Sequence, residues 1–382
     1  MTSQHVGSRQ LDTVLLKVAS RCNLDCSYCY IYHMGDEAWR SQPKQMSDAV
    51  IQMVAQRLSD QLALQAVPFS VVLHGGEPLL LGATRLEHFC ATLRGVLPHP
   101  CGIHIQTNGA LISDRIIDVL VRYDVGVSVS IDGPQAVHDR FRLDHRGKGS
   151  FARVRAGVER LMAREDSRAL LAGVLAVIDP DSNPAEVYAA LKQTGAMSFD
   201  VLPRDGNWDK LPFGKRSAKT IEYGIWLEGL LDVYLADPHP PTIRLLDDIL
   251  RLLLGGRSMK EGVGTADYGI LVIEPDGTIE KNDTLKVAGA GADRFDQRWS
   301  VFDHSFNDVF GSDEFSAYYH QQRPISAICA SCPDLAVCGG GMVAHRWSAE
   351  RGYDNPSIFC ADQRHLIARM RRVVEAAERQ EL

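Results

Sequence analysis

Three cysteines, Cys22, Cys26 and Cys29, lie in the run Cys-Asn-Leu-Asp-Cys-Ser-Tyr-Cys near the start of the chain. Three thiolates on one short loop can hold three irons of a [4Fe–4S] cluster and leave the fourth iron without a protein ligand. An open iron is a place for chemistry, whereas a fully ligated cluster only passes electrons. A zinc site would want a second pair of ligands at a longer spacing, and no partner pair lies nearby. The bland reading is three buried structural thiols, which the polarity of the loop disfavours.

Four more cysteines, Cys329, Cys332, Cys338 and Cys360, are spaced Cys-x₂-Cys-x₅-Cys-x₂₁-Cys. Four thiolates close a site, so this group reads as structural or redox-active; spacing alone leaves a Cys₄ zinc ribbon open beside an iron–sulfur cluster. Cys90, in an amphipathic helix, and Cys101, in a loop, read as unligated packing residues. Gly75-Gly76-Glu77-Pro78 marks a tight turn with close backbone approach after an apolar run.

The elements that must position these groups follow from periodicity. Thr13 to Ala19 reads as a buried strand that delivers the first cysteine loop. A helix from about Ser47 to Gln65 follows, with Ser47 as its cap. Strands are expected at Ser70 to His74, Ile103 to Thr107, Val125 to Ile131, Leu170 to Ile178 and Ser198 to Leu202. Helices are expected between them, around Thr84 to Val96, behind Ser113, at Phe151 to Arg164 and at Pro184 to Thr194. Six strands alternating with helices imply parallel pairing with right-handed crossovers. Polar residues fall after each strand end, where such folds place their active sites. The expected fold class is α/β, a partial (β/α)₆ barrel with a C-terminal iron–sulfur unit.

Lys215 to Leu235 and Thr242 to Leu254 look helical, and a hairpin is expected at Leu271 to Ile279 around Pro275-Asp276-Gly277. A helix from about Asp362 to Arg379 closes the chain. These readings divide it into a polar tail at 1–10, a barrel at 11–236, a helical bridge at 237–269 and a cysteine-bearing unit at 270–382.

The 382 residues are 45% apolar and 23% charged, an ordinary balance for a soluble globular enzyme of one to three domains. A net charge of −7 without a basic stripe argues against nucleic acid, and Arg369, Arg371 and Arg372 read as a solvated helix face. No stretch reads as a signal peptide or a membrane span, and the clustering of the nine cysteines points to metal in a reducing compartment, hence the cytoplasm.

The cysteine spacing, with Tyr28 before the last thiol and Gly75-Gly76-Glu77-Pro78 after the second strand, resembles the radical S-adenosylmethionine (SAM) superfamily. The C-terminal cysteines resemble the SPASM domain of its peptide-modifying members. The resemblance implies two [4Fe–4S] clusters, one that binds SAM on Cys22, Cys26 and Cys29 and one auxiliary cluster on Cys329, Cys332, Cys338 and Cys360. It implies that Gly75, Gly76, Glu77 and Pro78 meet the SAM amino group, with Gln106, Thr107 and Asn108 toward the ribose and Ser130 and Asp132, at the end of the next strand, as further cofactor contacts. Arg142 would then fork onto the carboxylate, with Val177 as an apolar wall. A second auxiliary cluster would need cysteines where Asn282 and Met342 stand. Asp283, directly after Asn282, sits where sulfatase-maturing relatives keep a base, so it is the expected catalytic residue.

Longer strings narrow the likeness: Leu16-Lys17-Val18-Ala19-Ser20-Arg21, Trp39-Arg40, Val72-Leu73-His74, Gly339-Gly340-Gly341 and Asp354-Asn355-Pro356-Ser357. Together they resemble FxsB-type maturases of ribosomally made peptides, many of which form three-residue cyclophanes. That implies a precursor-peptide substrate and a flavodoxin- or ferredoxin-type reductant, with loss of two hydrogens as a carbon–carbon crosslink forms to an aromatic ring. Serine or cysteine oxidation, or a thioether or ether crosslink, is the alternative on the same scaffold.

Overall fold

A computed structural model describes residues 9–259 and 261–381, so most of the polar tail lies outside the described residues. Ten strands form one sheet among these residues, in the order β10-β9-β8-β1-β2-β3-β4-β5-β6-β7. β1 (Thr13–Ala19), β2 (Ser70–Gly75), β3 (Ile103–Thr107), β4 (Val125–Ser130), β5 (Leu171–Val177), β6 (Ser198–Leu202) and β7 (Thr242–Ile243) run parallel. Burial alternates along β2, β3 and β4. The buried set Val71, Leu73, Ile103, Ile105, Val127 and Val129 belongs to the main apolar core, while the alternate set, which includes His74, Gln106 and Ser130, lines cavities. This period of two is what turns polar strand-end residues toward a site.

The crossover helices start where side chains satisfy their first free amides. Ser47 accepts from Val50 N ahead of Asp48–Gln65, Ser113 from Ile116 N ahead of Asp114–Arg122, and Asn183 from Ala185 N ahead of Pro184–Lys192. Each such cap stabilises its helix by about 1 kcal/mol. Cys90 and Cys101 are fully buried in the core and act as small apolar side chains.

Two segments differ from the sequence reading. Helix begins only at Glu222, within Glu222–Ala236, because Lys215 is drawn into a fully buried ion pair with Asp362. Thr242 and Ile243 extend the sheet as its last strand before the helix Arg244–Leu253. The expected hairpin forms from β8 (Ile270–Ile273) and β9 (Thr278–Glu280), with Gly277 at φ +87° in its turn. It does not stand apart in a C-terminal unit. β8 pairs parallel with β1, Leu16 facing Ile273, and β10 (Trp299–Ser300) closes that edge antiparallel to β9. The sheet therefore runs across the expected boundary at residue 270. The closing helix, Cys360–Glu381, docks on Glu222–Ala236, where Gly224 N donates to Asp362 Oδ1 at 2.8 Å. Arg369 and Arg371 pair with Asp232 and Asp334, in keeping with a solvated face.

Candidate active site

A cavity of about 290 Å³ opens at the C-terminal ends of the parallel strands. Its wall holds Cys22, Cys26 and Cys29 together with Tyr28, Gly75, Gly76, Gln106, Asn108, Ser130, Arg142 and Val177. Eleven of the expected site residues thus converge on one space. The cysteine loop leaves β1 and turns back on itself through Cys29 N to Cys26 O at 2.9 Å. Leu24 N and Asn108 Nδ2 point at Cys22 Sγ, at 3.4 and 3.7 Å. Burial pushes the Cys22 thiol up to about 12 and Cys29 up to about 11, with neighbouring thiols adding to both, and burial also raises Cys26. Three half-buried thiols that oppose one another's ionisation are matched by a metal centre, which deprotonates the thiols it coordinates. The set suits a [4Fe–4S] cluster with one open corner.

Gly75 and Gly76 have a steric reason to lack side chains. Gly75 adopts φ +143°, and a Cβ there would enter the Ala19 carbonyl; one on Gly76 would meet the Tyr32 hydroxyl and the Arg21 carbonyl. Arg142 is buried, donates to the Tyr28 hydroxyl at 2.6 Å, and stands 3.7 Å from Asp132. Tyr28 in turn donates to Asp132 at 2.5 Å. The Arg142 Nε is buried without a hydrogen-bond partner, which fits a guanidinium held ready for a ligand carboxylate. Gln106 donates to Ser130 Oγ at 2.9 Å on the same wall.

Three expected contacts are placed differently. Glu77 is 1% exposed and turned from the cavity; its carboxylate accepts from Leu79 N at 2.9 Å, Thr107 Oγ1 at 2.7 Å and Asn108 N at 2.8 Å. It fastens the loop after β2 to the loop after β3, because a buried carboxylate must collect such donors. Pro78 starts the 3₁₀ turn Pro78–Leu81. Asp132, 3% exposed, stands behind Arg142 and also accepts from Val177 N at 3.1 Å.

Asp283 lies behind the wall, 1% exposed, where it accepts from Tyr30 at 3.1 Å and pairs with Lys17 at 3.1 Å. Burial raises its carboxyl, but the charge of Lys17, then His74, outweighs this and holds it below the ordinary range. Lys17 also pairs with Glu274 at 3.0 Å. On the cavity side stand Tyr30, His74, Asp205 and His345. His345 Nε2 lies 3.2 Å from Asp205 Oδ1. The sequence reading places none of Tyr30, His74, Asp205 and His345 at the site, nor Lys17 behind it. Asp205 carried a usable signal, since it follows the end of β6 at Leu202 as other site residues follow their strands.

Cys329, Cys332, Cys338 and Cys360 line a second cavity of about 230 Å³ with Gln363 and Arg364. Cys329 lies in the short turn Ala327–Ala330, Cys332 just after it, Cys338 at the end of Leu335–Cys338 and Cys360 at the start of the last helix. Burial pushes the Cys338 thiol up to about 12, with the other three thiols adding to it. The four donors suit a closed metal site. Asn282 is buried and donates to Glu261 at 2.7 Å, and Gln322 donates to the same carboxylate at 3.0 Å. Met342 packs over Gly262. The two positions where further cysteines would stand are thus built into a hydrogen-bonded and packed wall.

A strand-end cavity with three convergent thiols, under a parallel sheet, defines an iron–sulfur enzyme of the α/β class. Residues 16–191 match the model of the Radical SAM superfamily. A cysteine-type anaerobic sulfatase-maturating enzyme of Clostridium perfringens is 24% identical over 91% of this chain and 93% of its own. A serine-type enzyme of Klebsiella aerogenes is 25% identical over 87% of this chain and 80% of its own. The solved structure of native anSMEcpe with bound AdoMet and the Cp18Cys peptide superposes with a TM-score of 0.79 at 22% identity, covering 96% of this chain and 99% of that one. The chain has the fold of these maturases. No helix among the described residues is long and apolar enough to cross a membrane.

Proposed function

We propose that the chain is a radical SAM maturase that oxidises a serine or cysteine side chain of a peptide or protein substrate. The substrate would lose two hydrogens, one as an atom from the β-carbon and one as a proton, with an electron leaving separately. When bound, a cluster on Cys22, Cys26 and Cys29 with SAM supplies a 5′-deoxyadenosyl radical, and a cluster on Cys329, Cys332, Cys338 and Cys360 supplies an electron acceptor.

The remaining tasks belong to the protein. Gly75 and Gly76 let the backbone approach the ligand's amino group, Arg142 clamps its carboxylate, and Tyr28 and Asp132 hold that guanidinium in place. Leu175, Val177, Leu202 and Pro203 give the cavity an apolar wall that excludes water from a reactive radical. The observation that carries the reading is the convergence of three cysteines, Arg142 and the strand-end polar residues on one cavity. Similarity to both cysteine-type and serine-type maturases over nearly the whole chain supports the substrate class.

A second reading is favoured by the strings around the cysteine loop and before Cys360: a carbon–carbon crosslink from a β-carbon to an aromatic ring. Both readings remove two hydrogens, so product chemistry separates them. Anaerobically reconstituted enzyme with SAM and dithionite would be given serine and cysteine peptides, and the small peptide encoded beside its gene. The expected product is an aldehyde captured by a hydrazide probe. A product lighter by two hydrogens that escapes the probe and resists fragmentation within a ring would establish the crosslink instead. No 5′-deoxyadenosine with any peptide would refute both readings.

A further inference from the structure

We propose that the pair His345–Asp205 accepts the proton that the substrate loses, and that Asp283 does not. The inference rests on the oxidative reading above and adds the residue that completes it.

Place is the first observation. Asp205 follows β6 on the rim of the barrel, and His345 sits in the 3₁₀ turn Val343–Arg346 of the cysteine-bearing segment. Both line the cavity that holds Cys22, Cys26 and Cys29. The pair is assembled where the C-terminal segment meets the strand ends of the barrel.

Geometry is the second. His345 Nε2 stands 3.2 Å from Asp205 Oδ1, and a hydrogen on Nε2 donated to that oxygen leaves the lone pair on Nδ1. The ring is also held in place. It packs edge-on against Phe359 with centroids 5.0 Å apart, and its carbonyl accepts from Ile358 N at 2.9 Å. His345 is 3% exposed.

The neighbouring candidates are held differently. The Asp283 carboxylate is tied to Lys17 and Tyr30 behind the wall. The phenol of Tyr30 donates to Asp283 Oδ1 at 3.1 Å. Burial lowers the His74 ring, with the Asp283 charge opposing this and the Lys17 charge adding to it, and its Nδ1 is buried without a hydrogen-bond partner. Cations packed near His345 are also spoken for. Arg346 turns away to the carbonyls of Gly339, Gly340 and Gly341, Lys286 pairs with Asp36 and Asp293, and Lys215, over the Phe359 ring, pairs with Asp362.

The step balances. The β-carbon gives a hydrogen atom to the 5′-deoxyadenosyl radical, the serine O–H or cysteine S–H gives its proton to His345 Nδ1, and one electron leaves to an iron–sulfur acceptor. A C=O or C=S bond is what remains. In the crosslinking reading, the same nitrogen takes the ring C–H proton as aromaticity returns.

The test uses the reconstituted holoenzyme and measures product formed per 5′-deoxyadenosine. His345→Gln should lower that ratio about 100-fold, as expected for loss of a general base, and Asp205→Asn about 10-fold. The ratio should depend steeply on pH in the native enzyme and be flat in His345→Gln. Imidazole added to His345→Gly should restore product. An unchanged ratio in His345→Gln, or a parallel loss of product and 5′-deoxyadenosine without imidazole rescue, overturns the proposal. A measurement independent of turnover is nitrogen NMR of the histidine rings. One ring should hold the Nε2–H tautomer in the native protein and lose that preference in Asp205→Asn; no such change also overturns it. A native enzyme that shows this tautomer but cleaves no SAM would refute the oxidative reading and the role of this pair together.

Discussion

The two cysteine sites sit on the same sheet-based scaffold but face different surroundings. The first presents three thiols on a loop at the mouth of the parallel strands, opposite a buried guanidinium with an unpartnered nitrogen. The second presents four thiols from two short turns, the segment between them and the start of the last helix, beside Gln363 and Arg364, in a cavity that shares no residue with the first. One missing thiol is the difference between a site that must bind something else and a site that is complete. On the proposed function, ligand count would set the chemistry of each site.

The largest expected effect comes from breaking that contrast at the metal ligands. Cys26→Ala should take 5′-deoxyadenosine formation below detection, whereas Cys338→Ala should leave it measurable and lower modified peptide. Equal losses in both would show that the two sites do not divide the work. Next is stability at the seam between the regions. Lys17 on β1 pairs with Glu274 and Asp283, both from the segment after the barrel. Lys17→Met strands two buried carboxylates and should cost about 3–5 kcal/mol in urea denaturation; a loss under 1 kcal/mol would mean the acids are protonated instead.

Ligand affinity sharpens the comparison further. Arg142→Gln should weaken SAM binding by about 10- to 100-fold in equilibrium dialysis, the worth of one charge-assisted contact. Arg364→Gln, at the other cavity, should leave it unchanged. The smallest effect is a slope. Burial, with Glu274 and Asp293 close by, raises the Glu280 carboxyl on β9. A carboxyl raised in the folded state binds its proton more tightly there than in the unfolded chain. Its stabilisation is therefore whole below about pH 4.3 and drains away as pH rises. Glu280→Gln should flatten the decline in stability from acid toward alkaline pH, and an unaltered slope would clear Glu280 of this role.

Much of the barrel was legible because its signals are local. Apolar runs such as Val125–Ser130, ended by Asp132-Gly133-Pro134, report a buried strand and its end without reference to any partner. The pairing of β8 with β1 was hidden, because strands more than 250 residues apart carry no shared local mark. Glu77 misled for a related reason. Its motif shows that a carboxylate is needed after β2, but the donors that capture it, Thr107 and the Asn108 amide, arrive with β3. Lys215 looked helical on propensity, and a buried partner 147 positions later overrode that preference.

What the amino-acid order determined by itself is the inventory: three thiols on one loop, four at closed spacing, glycines at a crowded turn, and polar residues after each strand. Covalent neighbours and side-chain periodicity carry that information. What only the tertiary structure decided is which of these side chains share a space. Asp283 turned inward to Lys17 while Asp205 and His345 met across the cavity, because a buried polar group must find a partner, and where that partner stands is set by how distant strands and turns pack.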